Sequence, residues 1–123
     1  MRATVINWPI AFPPGGDFEP EDPERPGWVK LDLETSLTDT WKAMIKLLDT
    51  GKVKAIGVSN FRPEHIQGIA DATGVWPAVD QVEAHPLNPQ DDLVAYCKEH
   101  NIHITAYSPL GNNSTSCFVF VSR

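Results

Sequence analysis

The stretch Val53-Lys54-Ala55-Ile56-Gly57-Val58-Ser59-Asn60-Phe61 is largely apolar until it stops at two small polar residues, and Pro63 follows closely. A run this short has no room for a helix. Its abrupt end predicts a buried parallel strand that delivers Ser59 and Asn60 to a site. Three more runs have the same form: residues 4–9, 78–86 and 103–110, each rich in β-branched residues and closed by proline. In parallel α/β proteins ligands bind at the carboxyl ends of strands, so four such ends predict one shared site.

Between the runs the apolar period changes from two to that of a helix. Leu37, Trp41, Met44, Ile45 and Leu48 form one stripe, with Ser36 placed as N-cap, Asp39 completing a capping box and Gly51 as the stop. Pro63 suits the first turn of a second helix that turns Ile66, Ile69 and Ala70 inward and stops at Gly74. Asn88 and Pro89 are read as opening a third, with Leu93, Val94, Cys97 and Tyr96 on its inner side and its end near Asn101. Lys52 to Ala78 spans 26 residues and Ala78 to His103 spans 25, the size of a compact βα unit. Two such units in succession argue for a parallel sheet or barrel with consecutive strands side by side.

Residues 9–35 hold six of the eleven prolines, the pair Gly15-Gly16, and the acidic residues Asp17, Glu19, Glu21, Asp22 and Glu24. A loop this long after a strand reads as a lid or binding loop over the strand ends. Its carboxylates lack regular ligand spacing and read as a solvated face. No helix follows Gly15-Gly16 at the spacing of a phosphate loop.

A formal net charge of −6 argues against a nucleic-acid or anionic-membrane surface, both of which need clustered Lys and Arg. An anionic small ligand remains compatible with it through local donors. No run is long enough to span a membrane, and residues 1–6 lack the pattern of a signal peptide, so a cytoplasmic location is expected. Cys97 and Cys117 read as two unpaired structural thiols.

From the residues alone, Ser59-Asn60 reads as a helix cap, and Tyr107 serves equally as rim packing or a ligand contact. Asp80, Glu83, His85 and His103 are residue types found in metal-dependent barrels, although only one strand's worth of ligands is set by the pattern.

Lys52-Val53-Lys54-Ala55-Ile56-Gly57-Val58-Ser59-Asn60-Phe61, then Gln81-Val82-Glu83-Ala84-His85-Pro86, then Ala106-Tyr107-Ser108-Pro109-Leu110-Gly111, together resemble the aldo-keto reductase family. Thr40-Trp41-Lys42-Ala43-Met44 is similar to a helix of that family as well. The resemblance runs over residues 4–111 and implies a (β/α)8 TIM barrel, an oxidoreductase that uses NADPH, or less often NADH, to reduce aldehydes and ketones. It implies that Ser59, Asn60 and Gln81 hydrogen-bond the nicotinamide carboxamide and that Tyr107 stacks on the nicotinamide ring. Ser108 and Leu110 match positions along the pyrophosphate, and Trp8 an aromatic of the substrate pocket. The residue types are chemically suited to these roles, because amides and hydroxyls satisfy a carboxamide's donors and acceptors together, and a flat ring fixes which face is presented.

The family's His-Trp-Pro at the end of the first strand is Asn7-Trp8-Pro9 here. Asparagine can donate a hydrogen bond to a carbonyl but does not titrate near neutral pH. The family's proton-donating tyrosine, with its lysine and aspartate, belongs to strands before this one, and no Tyr-Lys pair here replaces it. Loss of a positioned general acid costs about 10²–10⁴ in rate, so carbonyl turnover by this chain alone is expected to be absent or very weak.

The expected architecture is therefore α/β, a partial (β/α)8 barrel of about four parallel strands and three helices, incomplete at both ends. Residues 1–111 form the reductase-like domain and residues 112–123 a divergent tail carrying chance glycosylation sequons. A complete barrel takes about 250 residues, and half of one has two open edges through which self-association is expected. Cofactor binding is expected to be weak, with a small carbonyl compound as substrate. Two other readings stand beside this one: a non-enzymatic truncated remnant that folds with a partner, and a metal-dependent barrel hydrolase or lyase.

Overall fold

The structure, a computed structural model, describes residues 3–16 and 19–111. The expectations for Asp17, Cys117 and the tail with its sequons lie outside the described residues.

Seven elements alternate among the described residues: β1 (Ala3–Ile6), α1 (Leu37–Asp49), β2 (Ala55–Ser59), α2 (Pro63–Thr73), β3 (Val79–Glu83), α3 (Asp91–Glu99) and β4 (His103–Tyr107). The strands form one parallel sheet in chain order, β1-β2-β3-β4. Four parallel strands and three helices are the architecture that the repeat spacing predicts.

The helices form for the reasons visible in their sequences. Ser36 caps α1 by accepting from the Asp39 N–H at 3.1 Å, and Thr50 and Gly51, the latter at φ 67°, close it. Pro63 opens α2 and Gly74, at φ 71°, ends it. The third helix departs from expectation. It begins at Asp91 with Gln90 in the left-handed region as N-cap, because Asn88 and Gln90 spend their side-chain amides on the Glu83 carbonyl, at 3.1 and 3.0 Å, instead of opening a helix. Leu93 and Cys97 are buried on it, and Val94 faces out.

All three helices pack on one face of the sheet. Ile56, Val58 and Val82 from the strands meet Trp41, Ile66, Ile69, Leu93 and Cys97 from the helices, with Phe61 and Ile102 closing the two ends. Trp41 is fully buried, and its indole N–H donates to the Val75 carbonyl at 3.0 Å, tying α1 to the segment beyond α2. One member of this layer is out of character. Asp80 alternates with Val82 toward the helices, is fully buried, and has no hydrogen-bond partner among the described residues for either carboxylate oxygen. Burial pushes its carboxyl up to about 6, against a smaller downward pull from the Phe61 backbone N–H, which approaches without completing a hydrogen bond. The buried Cys97 thiol is pushed up to about 11, first by desolvation and then by the charge of Asp80.

On the opposite face the strands come together closely at Gly57. A Cβ there would lie 2.4 Å from Val79 Cγ1 and 2.6 Å from the Val79 carbonyl oxygen, so the approach of β2 to β3 requires glycine. That close seam brings the two strand ends level, with Ser59 opposite Gln81.

The long segment between β1 and α1 carries no helix or extended strand among its described residues. It is drawn together by isolated bridges, Ala11 with Asp32 and Glu21 with Val29, and by Asp32, whose carboxylate accepts from Thr35 Oγ1 at 2.6 Å.

Candidate functional site

Ser59, Asn60, Gln81 and Tyr107 converge at the carboxyl ends of the strands. Ser59 is the last residue of β2, and its hydroxyl donates to the Gln81 carbonyl at 2.6 Å. The Asn60 backbone N–H donates to the same carbonyl at 3.0 Å. Asn60 itself sits at φ 61°, a left-handed conformation that asparagine tolerates better than most residues. Its side-chain nitrogen donates to the Asn7 carbonyl at 3.1 Å and to Ser59 Oγ at 3.3 Å, and its oxygen accepts from the Tyr107 hydroxyl at 3.0 Å. One side chain thus touches the ends of β1, β2 and β4, while the backbone beneath it holds β3.

The reading of Ser59-Asn60 as a helix cap is corrected by this geometry. The N-cap of α2 is Arg62, whose backbone N–H donates to His65 Nδ1 at 3.3 Å, and the Ser59 hydroxyl is turned across the sheet. Ser59 is also 1 % exposed, so it presents almost no surface to a ligand. Tyr107 is half-buried, and Gln81 is half-buried with its side-chain amide unbonded among the described residues. Ser108 and Leu110 lie beyond β4 in a turn closed by the Gly111 N–H on the Ser108 carbonyl at 2.7 Å. The structure does not draw these two into the hydrogen-bonded group; Leu110 is 84 % exposed.

Two cavities adjoin the convergence. One, of about 490 Å³, is bordered by Asn60, Arg62, Glu83, Asn88, Gln90 and Tyr107. The other, also of about 490 Å³, lies between the end of β1 and the Pro-rich segment, against Asn7, Trp8, Ile10, Phe12, Val29 and Leu31. The long segment therefore does reach the strand ends and builds an apolar wall there, with Trp8 51 % exposed and Asn7 exposed. Sequence reasoning did not single out Asn88, Gln90, Phe12, Val29 or Leu31 as site residues. The alternation of apolar residues at Val29, Leu31 and Leu33 was the available signal for the last group.

Of the four metal-type residues, Asp80 faces the helices while Glu83 and His103 alternate to the other face. Glu83 Oε1 and His85 Nε2 lie 3.5 Å apart. Among the described residues no group of three or more His, Cys, Asp or Glu is placed to hold a metal ion, and no helix is long and apolar enough to cross a membrane.

Comparison with known proteins agrees with the architecture. Residues 17–117 match the model of the Aldo/keto reductase family. The chain is 46% identical over 118 residues to the D/L-glyceraldehyde reductase of Hypocrea jecorina, covering 96% of this chain and 35% of that protein. It is 46% identical over 112 residues to aldo-keto reductase family 1 member A1 of Xenopus tropicalis, covering 91% of this chain and 33% of the relative. Among solved structures, the aldose reductase of Schistosoma japonicum superposes with a TM-score of 0.83 at 40% identity, over 94% of this chain and 38% of the other. That of Giardia lamblia does so with a TM-score of 0.85 at 34% identity, over 100% and 40%. The four strands and three helices are thus an arc of the TIM barrel of those reductases. The chain spans about a third of the length of the curated relatives it matches.

Proposed function

The chain belongs to the aldo/keto reductase family, and from that premise we propose that it carries the nicotinamide side of an NAD(P)H-dependent carbonyl reductase. The observation that supports the reading is the single hydrogen-bonded convergence of Asn7, Ser59, Asn60, Gln81 and Tyr107 at the strand ends. The residues fit a nicotinamide: Gln81 has a side-chain amide unbonded among the described residues on the strand beside Ser59, the oxygen of Asn60 accepts from Tyr107, and the half-buried ring of Tyr107 is fixed at its hydroxyl. When bound, the cofactor supplies the hydride.

The chain's own residues then have separate roles. Gln81 and Asn60 hold the carboxamide and so fix the rotation of the ring. Tyr107 offers a flat apolar surface and keeps water from one side. Trp8, Phe12 and Leu31 wall the cavity for a small carbonyl compound, and Asn7 stands at the position where the family's histidine meets the carbonyl. Ser108 and Leu110, in the turn past β4, are assigned to the pyrophosphate. We assign no proton donor among these residues, and take NADPH as the cofactor with NADH as the alternative; the same reading places the protein in the cytoplasm.

Titration with NADPH and NADH, followed by quenching of the dinucleotide or tryptophan fluorescence, tests the reading. Saturable binding that Tyr107→Ala weakens by about tenfold is expected, the order of effect for losing an aromatic stacking surface. No saturation at millimolar dinucleotide would remove the proposal and leave the remnant reading.

A second consequence concerns assembly. Among the described residues β1 and β4 pair on one side only. Their free backbone groups, next to exposed Thr105 and Ala106, make edge-to-edge pairing the expected state. Sedimentation at micromolar concentration should show self-association; a monomer that unfolds in one cooperative step would contradict it.

A further inference from the structure

We propose that Asp80 is a proton switch for the turn from Asn60 to Arg62: when its carboxyl ionises it takes up the Phe61 backbone N–H and draws that turn onto β3. The switch belongs to the chain and is independent of the ligand assigned to the strand ends.

Two unspent groups face one another between the sheet and the helices. Both carboxylate oxygens of Asp80 lack a hydrogen-bond partner among the described residues, and the residue is fully buried. Phe61 is 1 % exposed, and its backbone N–H completes no hydrogen bond among the described residues, yet it is the donor that pulls on the Asp80 carboxyl. Buried donors and acceptors are seldom left this way. A protonated carboxyl tolerates the gap, because it is neutral. A carboxylate does not: it only accepts, and an unpaired charge in an apolar layer is far costlier than an unpaired dipole.

No other donor competes well with the Phe61 N–H. The register partners of Asp80 are Val58 on β2 and Ile104 on β4, and α2 contributes Ile66 and Ile69 to the same layer. The titratable group that faces it is Cys97 on α3, whose thiol is pushed up to about 11 and so stays a weak S–H donor through the neutral range. Among the described residues no lysine, arginine or histidine acts on the carboxyl. A backbone N–H on a charged acceptor is roughly twice as strong as on a neutral one, so ionisation completes the bond that the neutral acid leaves open.

Capture of that N–H has a defined mechanical effect. The Asn60 N–H already donates to the Gln81 carbonyl at 3.0 Å, so the charged state ties two successive amides to two successive residues of β3. The Phe61 ring meets His65 edge-on with centroids 5.8 Å apart, and His65 Nδ1 accepts the Arg62 N–H at 3.3 Å. A shift of Phe61 is passed in this way to the first turn of α2 and to the cavity wall that Asn60, Phe61 and Arg62 form. Desolvation raises the carboxyl to about 6, so the turn is released below about pH 6 and drawn in above it.

Nuclear magnetic resonance on the full chain, without any ligand, tests the switch between pH 4.5 and 7.5. The Phe61 amide proton is expected to move downfield as pH rises, with a midpoint near pH 6 and in step with the Asp80 carboxyl carbon. Asp80→Asn, which keeps the shape and cannot ionise, should leave the Phe61 amide still across the range. Cys97→Ala should leave the response in place. A carboxyl carbon that titrates while the Phe61 amide stays put would overturn the proposal, as would a carbon that does not titrate in the range. A Phe61 response that survives Asp80→Asn would trace to His65 on the same ring, and one lost in Cys97→Ala would make the thiol the partner; either result overturns the switch.

Discussion

Asp80→Asn is expected to make the protein more stable at pH 7, by about 3 kcal/mol relative to the wild type. The carboxyl is fully buried, has no hydrogen-bond partner among the described residues, and is raised from 3.8 to about 6. A carboxyl that is harder to ionise in the folded than in the unfolded chain works against folding wherever it must be charged. The folded protein holds the Asp80 proton between about pH 4 and 6, while the unfolded chain has released it. The stability contributed at this position is therefore complete at the acid end of that window and lost as pH rises through about 6, the reverse of a salt-bridged aspartate. At about 1.4 kcal/mol per pKa unit the raised value corresponds to about 3 kcal/mol above pH 7. Asparagine matches the neutral acid in size and polarity, so the variant should equal the wild type near pH 4 and pull ahead above pH 6. Urea denaturation at pH 4.5 and 7.5, at fixed protein concentration, reads the difference directly. Parallel curves for the two proteins across the window would show that the carboxylate finds a partner.

Trp41→Ala should have the opposite sign and a larger size, a loss of about 4 kcal/mol. The indole is fully buried in the core cluster between the helices and the sheet, so its removal leaves a cavity. Its N–H also holds the Val75 carbonyl at 3.0 Å, and truncation leaves that oxygen without its partner. Trp41→Phe, which keeps much of the ring volume but not the N–H, should recover more than half of the loss. A truncation costing less than about 1 kcal/mol would mean that α1 is not held by this residue.

Much of the architecture was legible because it is local. Leu37, Trp41, Met44, Ile45 and Leu48 recur at helical spacing, and Gly51 and Gly74 stop their helices in the left-handed conformation that glycine makes cheap. The repeat of about 25 residues announced consecutive parallel strands. Reading failed where a side chain bonds far along the chain. Asn88 looked like a cap before Pro89, yet it turns back to Glu83, which a cap rule cannot foresee. Ser59 looked like a cap as well, and is spent on a neighbouring strand 22 residues away. The alternation Asp80, Gln81, Val82, Glu83 does put Asp80 on the same face as Val82, so its burial was within reach of the sequence. That no donor meets it was not, because the absence depends on what the helices pack against it.

β4 divides its labour unevenly. Its own residues are half-buried or exposed, and its helix-side contact is limited to the partly buried Ile104, yet its final side chain is the one that clasps Asn60. Folding strength and readiness for a ligand are consequently set by different parts of the molecule. On the nicotinamide reading, replacing the side chain of Gln81, which bonds nothing among the described residues, would weaken recognition while the melting curve scarcely moves, so a screen that ranks variants by thermal shift alone would pass it as intact.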